Sequence, residues 1–469
     1  MKIFSKSVRP IALAVSVVFL GGCASFSQDG GFSKVSTLTK ERIGKEVQRP
    51  NPNSPEGAVD STIRPLLAKQ LTVDNAVTIA LLNNKNLQAA YADLGIAEAD
   101  LVQAGRLPNP AFSFGRLKRG DEIEIERRLM VPVVSLLTMP IATRIERRRF
   151  EQAQLRAAGD ALQVADDTRR AYFSAIAAQE TVKYMQQVKL SAEASVDLAR
   201  KMAEVGNWSR LDLAREQAFY ADVTTALARA TQTHVIEREK LTRLMGLTGP
   251  QAVFQLPDRL PALPKEVKSG VDIEAQALQN RLDVLMARRE LSGLADSLGL
   301  TKATRFVNVL DVGYLRNSFN DGGPRETGYE IELLIPVFDF GGARVARAEA
   351  MYMQAVNRAS ALAIDAQSEV RTAYAAYRTS YDVAKHYRDE VVPLKKRISD
   401  EQMLRYNGML VSVFTLLADA RSQVQSVNAS IDALRDFWIS DSALQMAQTG
   451  RSVEGATMSE SKLTAATAD

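Results

Sequence analysis

Gly328-Tyr-Glu-Ile-Glu-Leu-Leu-Ile-Pro-Val-Phe338 is the stretch on which the reading of this sequence turns. Its odd positions, Tyr329, Ile331, Leu333, Ile335 and Val337, are apolar, and Glu330 and Glu332 stand between them. A period of two is the repeat of a β-strand, whose successive side chains leave opposite faces. Glu122 to Val131 alternates in the same way, with Ile123, Ile125, Leu129 and Val131 set against Glu122, Glu124, Glu126 and Arg128. Two further strand-like pieces, Ala111 to Leu117 and Arg305 to Leu315, bring the candidates to four. Such strands suit an amphipathic sheet lying on a soluble core. They equally suit part of a membrane barrel with its acids turned to the lumen and its apolar side chains to lipid. The smallest membrane barrels need eight strands, so in the second reading several chains share one barrel.

Outward from these strands the sequence is helical. One helix is expected from Leu71 to Leu107, with Thr72 as its N-cap and Pro108-Asn109-Pro110 as its stop. Helical periodicity resumes near Ile141 and meets no proline until Pro250, broken only at Val205-Gly206-Asn207-Trp208-Ser209. At about 1.5 Å per residue the first of these two helices extends roughly 100 Å, a rod for which a small globule has no use. Its apolar positions, Leu155, Ala158, Leu162, Ala165, Tyr172 and Ile176, then Met185, Val188, Ala192, Ser195, Ala199 and Met202, are spaced as in a coiled-coil seam, with Arg169 weakening the first run. The last helix carries Leu417, Ala420, Val424, Val427, Ile431, Leu434 and Trp438. Strands, helices and the glycines Gly206 and Gly408 recur at an offset of roughly 200 residues, the mark of a duplicated unit. The expected organisation is a signal segment over 1–22, a mostly extended tether over 23–70, a first repeat over 71–249, a proline-marked linker over 250–270, a second repeat over 271–448 and a disordered tail over 449–469.

Composition narrows the function. The 469 residues include 59 Lys and Arg against 55 Asp and Glu, a net +4 too even for a nucleic-acid surface without strong clustering. One cysteine and two histidines allow no intrachain disulfide and no Cys/His zinc site, and give no support for a metal pathway. No glycine-rich phosphate loop or nucleophile elbow occurs, and His234 and His386 stand isolated on helices, so neither a cofactor nor an enzyme is expected. The cysteine is informative by position. Lys2, Lys6 and Arg9 precede an apolar run from Ile11 to Leu20, too short to span a bilayer, and Leu20-Gly21-Gly22-Cys23 closes it. That tetrad resembles a bacterial lipobox, which makes Cys23 the lipid attachment residue of the mature chain. Ala24 stands where an aspartate commonly marks inner-membrane retention, and this implies the outer membrane.

Several segments together resemble the TolC-like outer membrane efflux proteins, or outer membrane factors. They are Leu71-Thr-Val-Asp-Asn-Ala-Val77 with Asn84-Lys-Asn-Leu87, Ala104-Gly-Arg-Leu-Pro-Asn-Pro110, Arg281-Leu-Asp-Val284, Ile335-Pro-Val-Phe-Asp-Phe-Gly-Gly-Ala-Arg344, Val392-Pro-Leu394 and Arg405-Tyr-Asn-Gly408. The resemblance covers about residues 70–448 and rests on order, spacing and twofold repetition. It implies a mainly α chain with a membrane β-barrel portion. Three protomers would each give four strands to a twelve-stranded barrel, and long helical hairpins would form a periplasmic tunnel. It further implies an exit duct joined to a periplasmic adaptor and an inner-membrane transporter. The helix breaks at Val205, Gly206 and Asn207 and at Asn407, Gly408, Met409 and Leu410 match the family's adaptor-docking tips. Asp212 matches a carboxylate of the tunnel entrance, whereas Thr415 and Ala418 occupy the corresponding places in the second half. If the apolar side chains face lipid, the pleat puts Glu122, Glu124, Glu126, Glu330 and Glu332 in the lumen, unless Arg116, Lys118, Arg119, Arg127 or Arg128 neutralises them. The rival reading is a structural or adaptor coiled-coil lipoprotein without a channel, although no run of short strands for a lipoyl-like domain lies between the helices.

Overall fold

The computed structural model describes residues 25–48, 58–408 and 410–450. The signal segment, Cys23, Met409 and the tail from 451 lie outside the described residues. In chain order the elements are α1 (Phe32–Ile43), α2 (Ala58–Leu67), α3 (Val73–Asn83), α4 (Lys85–Ala104), β1 (Ala111–Arg119), β2 (Glu122–Pro132), α5 (Val133–Glu204), α6 (Arg210–Leu244), α7 (Ile273–Asn280), α8 (Leu282–Ala303), β3 (Leu310–Phe319), β4 (Glu326–Leu333), α9 (Gly342–His386), α10 (Val392–Asn407) and α11 (Val413–Thr449). A 3₁₀ turn at Gly249–Ala252 and a π turn at Tyr387–Val391 complete them. The chain divides into two units that cut across its sequence halves. One holds the described residues up to Val35, Tyr91–Ala157 and Val284–Ala363; the other holds Ser36–Ala90, Ala158–Asp283 and the described residues from Ile364.

The first unit contains one antiparallel sheet in the order β1-β2-β3-β4. β1 and β2 are joined by a two-residue turn, Gly120-Asp121, in which Gly120 takes the positive φ of 62° that tight hairpins need. The register runs from Ala111 opposite Met130 to Arg119 opposite Glu122, then pairs Leu129 with Tyr314 and Tyr314 with Tyr329. Two strands differ from the sequence expectation. β3 begins at Leu310 rather than Arg305, and β4 ends at Leu333 rather than Phe338. β2 stops at Pro132, opposite Asp311, where the chain turns into α5, so residues 305–309 have no β2 partner to extend along. On the other side Pro336 brings no N–H to a ladder.

In the second unit helices pack around aromatic and aliphatic side chains. Tyr172, Phe173, Ile176, Ile79, Leu241 and Ile431 form one cluster; Tyr377, Tyr381, Phe437 and Leu444 form another. Each such buried side chain contributes about 1.5–3 kcal/mol of transfer free energy. The proline-marked stretch after α6 is a strap packed on these helices. Phe254, Leu256 and Leu260 are buried, Gln179 donates to the Pro257 carbonyl at 3.0 Å, and Trp438 donates to that of Pro261 at 3.0 Å. Arg169, expected to weaken a seam, donates to Gln445 Oε1 at 2.6 Å, so its charge is used in an interhelical bond.

Three helical expectations are corrected. The stretch from 71 to 107 is two helices, because Asn84 leaves helical geometry (ψ 117°), caps α4 by accepting from Leu87 N–H and donates to the Leu244 carbonyl. Thr72 caps α3 as expected, accepting from Asn75 N–H at 3.2 Å. α5 starts at Val133 and runs 72 residues through Pro140, its eighth residue, where the helix gives up one i→i−4 hydrogen bond. The expected extended tether holds α1 and α2, with Val35, Val47 and Ile63 buried.

Candidate channel surfaces and helix turns

The register of the sheet sorts its side chains. Glu122, Glu124, Glu126, Arg128 and Met130 fall on one face, with Asp311, Gly313, Asn317, Glu326, Glu330 and Glu332 from the neighbouring strands. All five glutamates singled out from the sequence therefore share a face. Phe112, Phe114, Ile123, Ile125, Leu129, Val312, Tyr314, Tyr329, Ile331 and Leu333 occupy the opposite one, and its large side chains are mostly exposed. The acidic face is the more crowded of the two: Gly313 and Asn317 are buried on it, and a Cβ at Gly313 would overlap the Met130 sulfur. Arg128 reaches across β3 to Glu330 at 2.6 Å, and Asn317 donates to Glu124 Oε1 at 2.7 Å. The face thus carries seven carboxylates and two guanidiniums, those of Arg119 and Arg128. Arg116, Lys118 and Arg127 lie on the apolar face and do not neutralise it there.

At the first helix break, α5 ends in a left-handed glycine. Gly206 has φ +80°, its N–H bonds to the Ala203 carbonyl at 3.1 Å, and the Asn207 N–H bonds to that of Met202 at 2.9 Å. This is the Schellman arrangement, which ties off the last carbonyls of a helix. Val205 projects from it, exposed. Ser209 caps α6, accepting from Asp212 N–H at 3.2 Å and donating to Asp212 Oδ2 at 2.6 Å; Arg215 approaches the same carboxylate at 3.6 Å. The second break is built similarly after a different turn. Gly408 has an ordinary φ of −81°, and its N–H bonds to the Leu404 carbonyl at 3.0 Å. Ser412 then caps α11 through Thr415 N–H, with the two hydroxyls 3.2 Å apart. Asp212 and Thr415 thus hold the same place after a capping serine, one charged and one neutral.

Two polar clusters in the helical unit escaped the sequence reading. Glu216, with a side chain 1% exposed, accepts from Ser195 at 2.9 Å and faces Arg421 at 3.7 Å, whose guanidinium lies over Phe219. Arg281, fully buried, grips Asp283 with two nitrogens (3.1 and 2.7 Å), Glu369 at 2.8 Å and the Ala447 carbonyl at 3.3 Å. Burial alone would depress the pKa of this guanidinium, but the bonds and charges of Asp283 and Glu369 outweigh it and raise the value. The Arg-Leu-Asp spacing was visible in the sequence; Glu369, some ninety residues on, was not.

The chain combines long helices with a four-stranded sheet that has one acidic and one apolar face. Solved outer-membrane channels share its fold. The structure resembles that of the CmeC outer membrane channel of Campylobacter jejuni, with a TM-score of 0.69 and 18% identity over 91% of this chain and 95% of that one. In sequence, the chain is 26% identical over 281 residues to the cobalt-zinc-cadmium resistance protein CzcC of Cupriavidus metallidurans, 58% of this chain and 64% of that protein, so the match spans just under two thirds of CzcC. It is 22% identical to nodulation protein T of Rhizobium leguminosarum bv. viciae over 77% of this chain and 78% of that one. The family model described as outer membrane efflux protein matches residues 140–247. In that segment of its sequence, and in its fold, the chain is similar to outer membrane efflux proteins.

Proposed function

We propose that this chain is one of three identical protomers of a passive exit duct in the outer membrane, taking cargo from an inner-membrane transporter through a periplasmic adaptor. The observation that carries the proposal is the sheet. β1 and β4 are its edges, and among the described residues neither pairs with a further strand on its outer side. Backbone polar groups in lipid must be bonded, and only a closed barrel bonds them all. Four strands cannot close, since eight is the smallest known number. Three copies pairing β1 to β4 give twelve. The acidic face then lines the lumen with Glu122, Glu124, Glu126, Glu330 and Glu332, and the apolar face meets lipid. The mature chain starts at Cys23, acylated, and continues through residues 23–70 to the two repeats. The turns at Val205, Gly206 and Asn207, and at Asn407, Gly408, Met409 and Leu410, contact the adaptor, and Asp212 contributes a carboxylate near the tunnel entrance.

Native mass measurement of the protein extracted in mild detergent tests the assembly. A trimer carrying acyl mass on a chain beginning at Cys23 is expected, and a monomer or dimer rejects the shared barrel. A structural lipoprotein without a channel would give no conductance in planar bilayers, where the duct gives discrete openings.

A further inference from the structure

The pleat that gathers carboxylates on one face gathers cations on the other. Arg116, Lys118, Arg127 and Arg316 all fall on the apolar face, and the register places no Asp or Glu of the four strands beside them. Their position along the strands is uniform. They occupy the half of the sheet that ends in the Gly120-Asp121 turn and in the 320–325 loop, whereas Val131, Val312, Ile331 and Leu333 occupy the half nearest the helices. Beyond Leu333 the apolar surface continues through exposed Leu334, Ile335 and Phe338. From the level of Arg127 to that of Lys118 the cations span about 13 Å along the strand direction.

Their mutual arrangement is unfavourable without an anion. Arg127 stands directly opposite Arg316 in the β2–β3 register, and like charges in that relation repel. Arg127 donates to Ser318 Oγ at 3.1 Å, and none of the four cations forms an ion pair with a carboxylate among the described residues. A guanidinium fork matches phosphate oxygens two at a time, and a lysine adds a point charge. On a face that otherwise meets hydrocarbon, the anions within reach of the loop end are those of the lipid head groups.

We propose that Arg116, Lys118, Arg127 and Arg316 form a binding belt on the outside of the barrel for the phosphate groups of outer-leaflet lipids. The belt rests on the barrel reading above: the apolar half of the face lies among acyl chains and the basic half at the head-group level. It holds the duct at a fixed depth and joins it to the phosphorylated lipid around it.

The test uses the full-length protein in mild detergent with diphosphoryl lipid A and its dephosphorylated form, bound lipid being counted by native mass measurement. The diphosphoryl form should be retained about tenfold more tightly, a difference that the combined variant Arg116→Gln, Lys118→Gln, Arg127→Gln, Arg316→Gln abolishes and the opposite-face change Arg119→Gln leaves intact. Equal retention of the two lipids by the unaltered protein overturns the belt, and so does a preference that survives in the combined variant. Loss of the bound lipid to excess inorganic phosphate would mark a site for the free anion and overturn the lipid assignment. Ile331→Trp in vesicles of brominated phospholipid separates the two readings. Unquenched fluorescence removes the barrel and the belt together, and quenching with equal lipid retention removes the belt alone.

Discussion

Replacing Arg281 with methionine tests how the helical unit is held together. The arginine side chain is 0% exposed and its guanidinium makes four polar contacts, two to Asp283, one to Glu369 and one to the Ala447 carbonyl. Methionine fills much of the volume but leaves two carboxylates facing one another without a cation. Removing one partner of a buried pair costs about 3–5 kcal/mol. Asp283 and Glu369 keep 14% and 29% of their side-chain exposure, so water solvates them in part and the lower end, about 3 kcal/mol, applies. With about 2.1 cal/mol/K of unfolding entropy per residue over roughly 400 residues, that is a fall of about 4 °C in the midpoint. Thermal denaturation of the detergent-solubilised protein, followed by circular dichroism at one fixed scan rate, reads it. The discriminating variant is Arg281→Met with Asp283→Asn and Glu369→Gln. Removing the orphaned charges should bring stability back to within about 1 kcal/mol of the parent, because buried ion pairs seldom outperform neutral replacements. A triple variant no more stable than the single one would refute the reasoning, leaving the loss to packing.

Three further outcomes follow from the geometry. Gly206→Ala should cost about 1 kcal/mol through its left-handed backbone, whereas Gly408→Ala, at φ −81° with only ordinary contacts, should cost almost nothing; chemical denaturation of both reads the difference, and a valine at Gly206 should further impair adaptor capture while the trimer stays assembled. Neutralising Glu122, Glu124 and Glu126 together should lower cation preference in planar bilayers at low salt, and Arg128→Gln, which frees Glu330, should raise it; unmoved reversal potentials would mean that these side chains do not line the pore. Asp29 accepts from Gly31 and Ser33 N–H at the start of α1, and the bond from Ser33 leads the set that holds its pKa at about 2, below the ordinary 3.8. A depressed carboxylate stabilises above its unfolded value and loses that contribution as pH falls through about 2, and because Asp29 is largely exposed the effect is at most about 1 kcal/mol, visible as faster amide exchange in α1 for Asp29→Ala.

What the sequence revealed followed the reach of each interaction. β1 and β2 were legible because their alternation and the intervening Gly-Asp turn are local. The strand face of each glutamate was legible too, since parity along a strand needs no partner. The start of β3 was not, because it is set by where β2 ends at Pro132, almost two hundred residues away. Arg305 to Val309 look strand-like yet lie outside the ladder, tied to it only by a 3.4 Å bond from Leu334 N–H to the Val309 carbonyl. Asn84 looked like one more helical residue, and its break is maintained by the Leu244 carbonyl of another helix. The N-terminal region looked extended from its Ser, Gly and Pro content, yet Val35 and Ile63 are buried, Ile63 within the cluster around Tyr172. Asp212 was legible as an acid near a turn; its contacts with Ser209 and Arg215, which engage both of its oxygens locally, were not.

Gly313 has an evolutionary consequence. Its missing side chain leaves the place a methyl group would take to the Met130 sulfur, on the face where Arg128 pairs with Glu330 across β3. Residues on three different strands therefore tolerate change only in concert. In a library of variants Gly313, Arg128 and Met130 should show strong epistasis, with a larger residue at Gly313 accepted only after Met130 has been shortened. Descendants of this sequence would then reach a different charge on that face in a fixed order of substitutions, the glycine changing last.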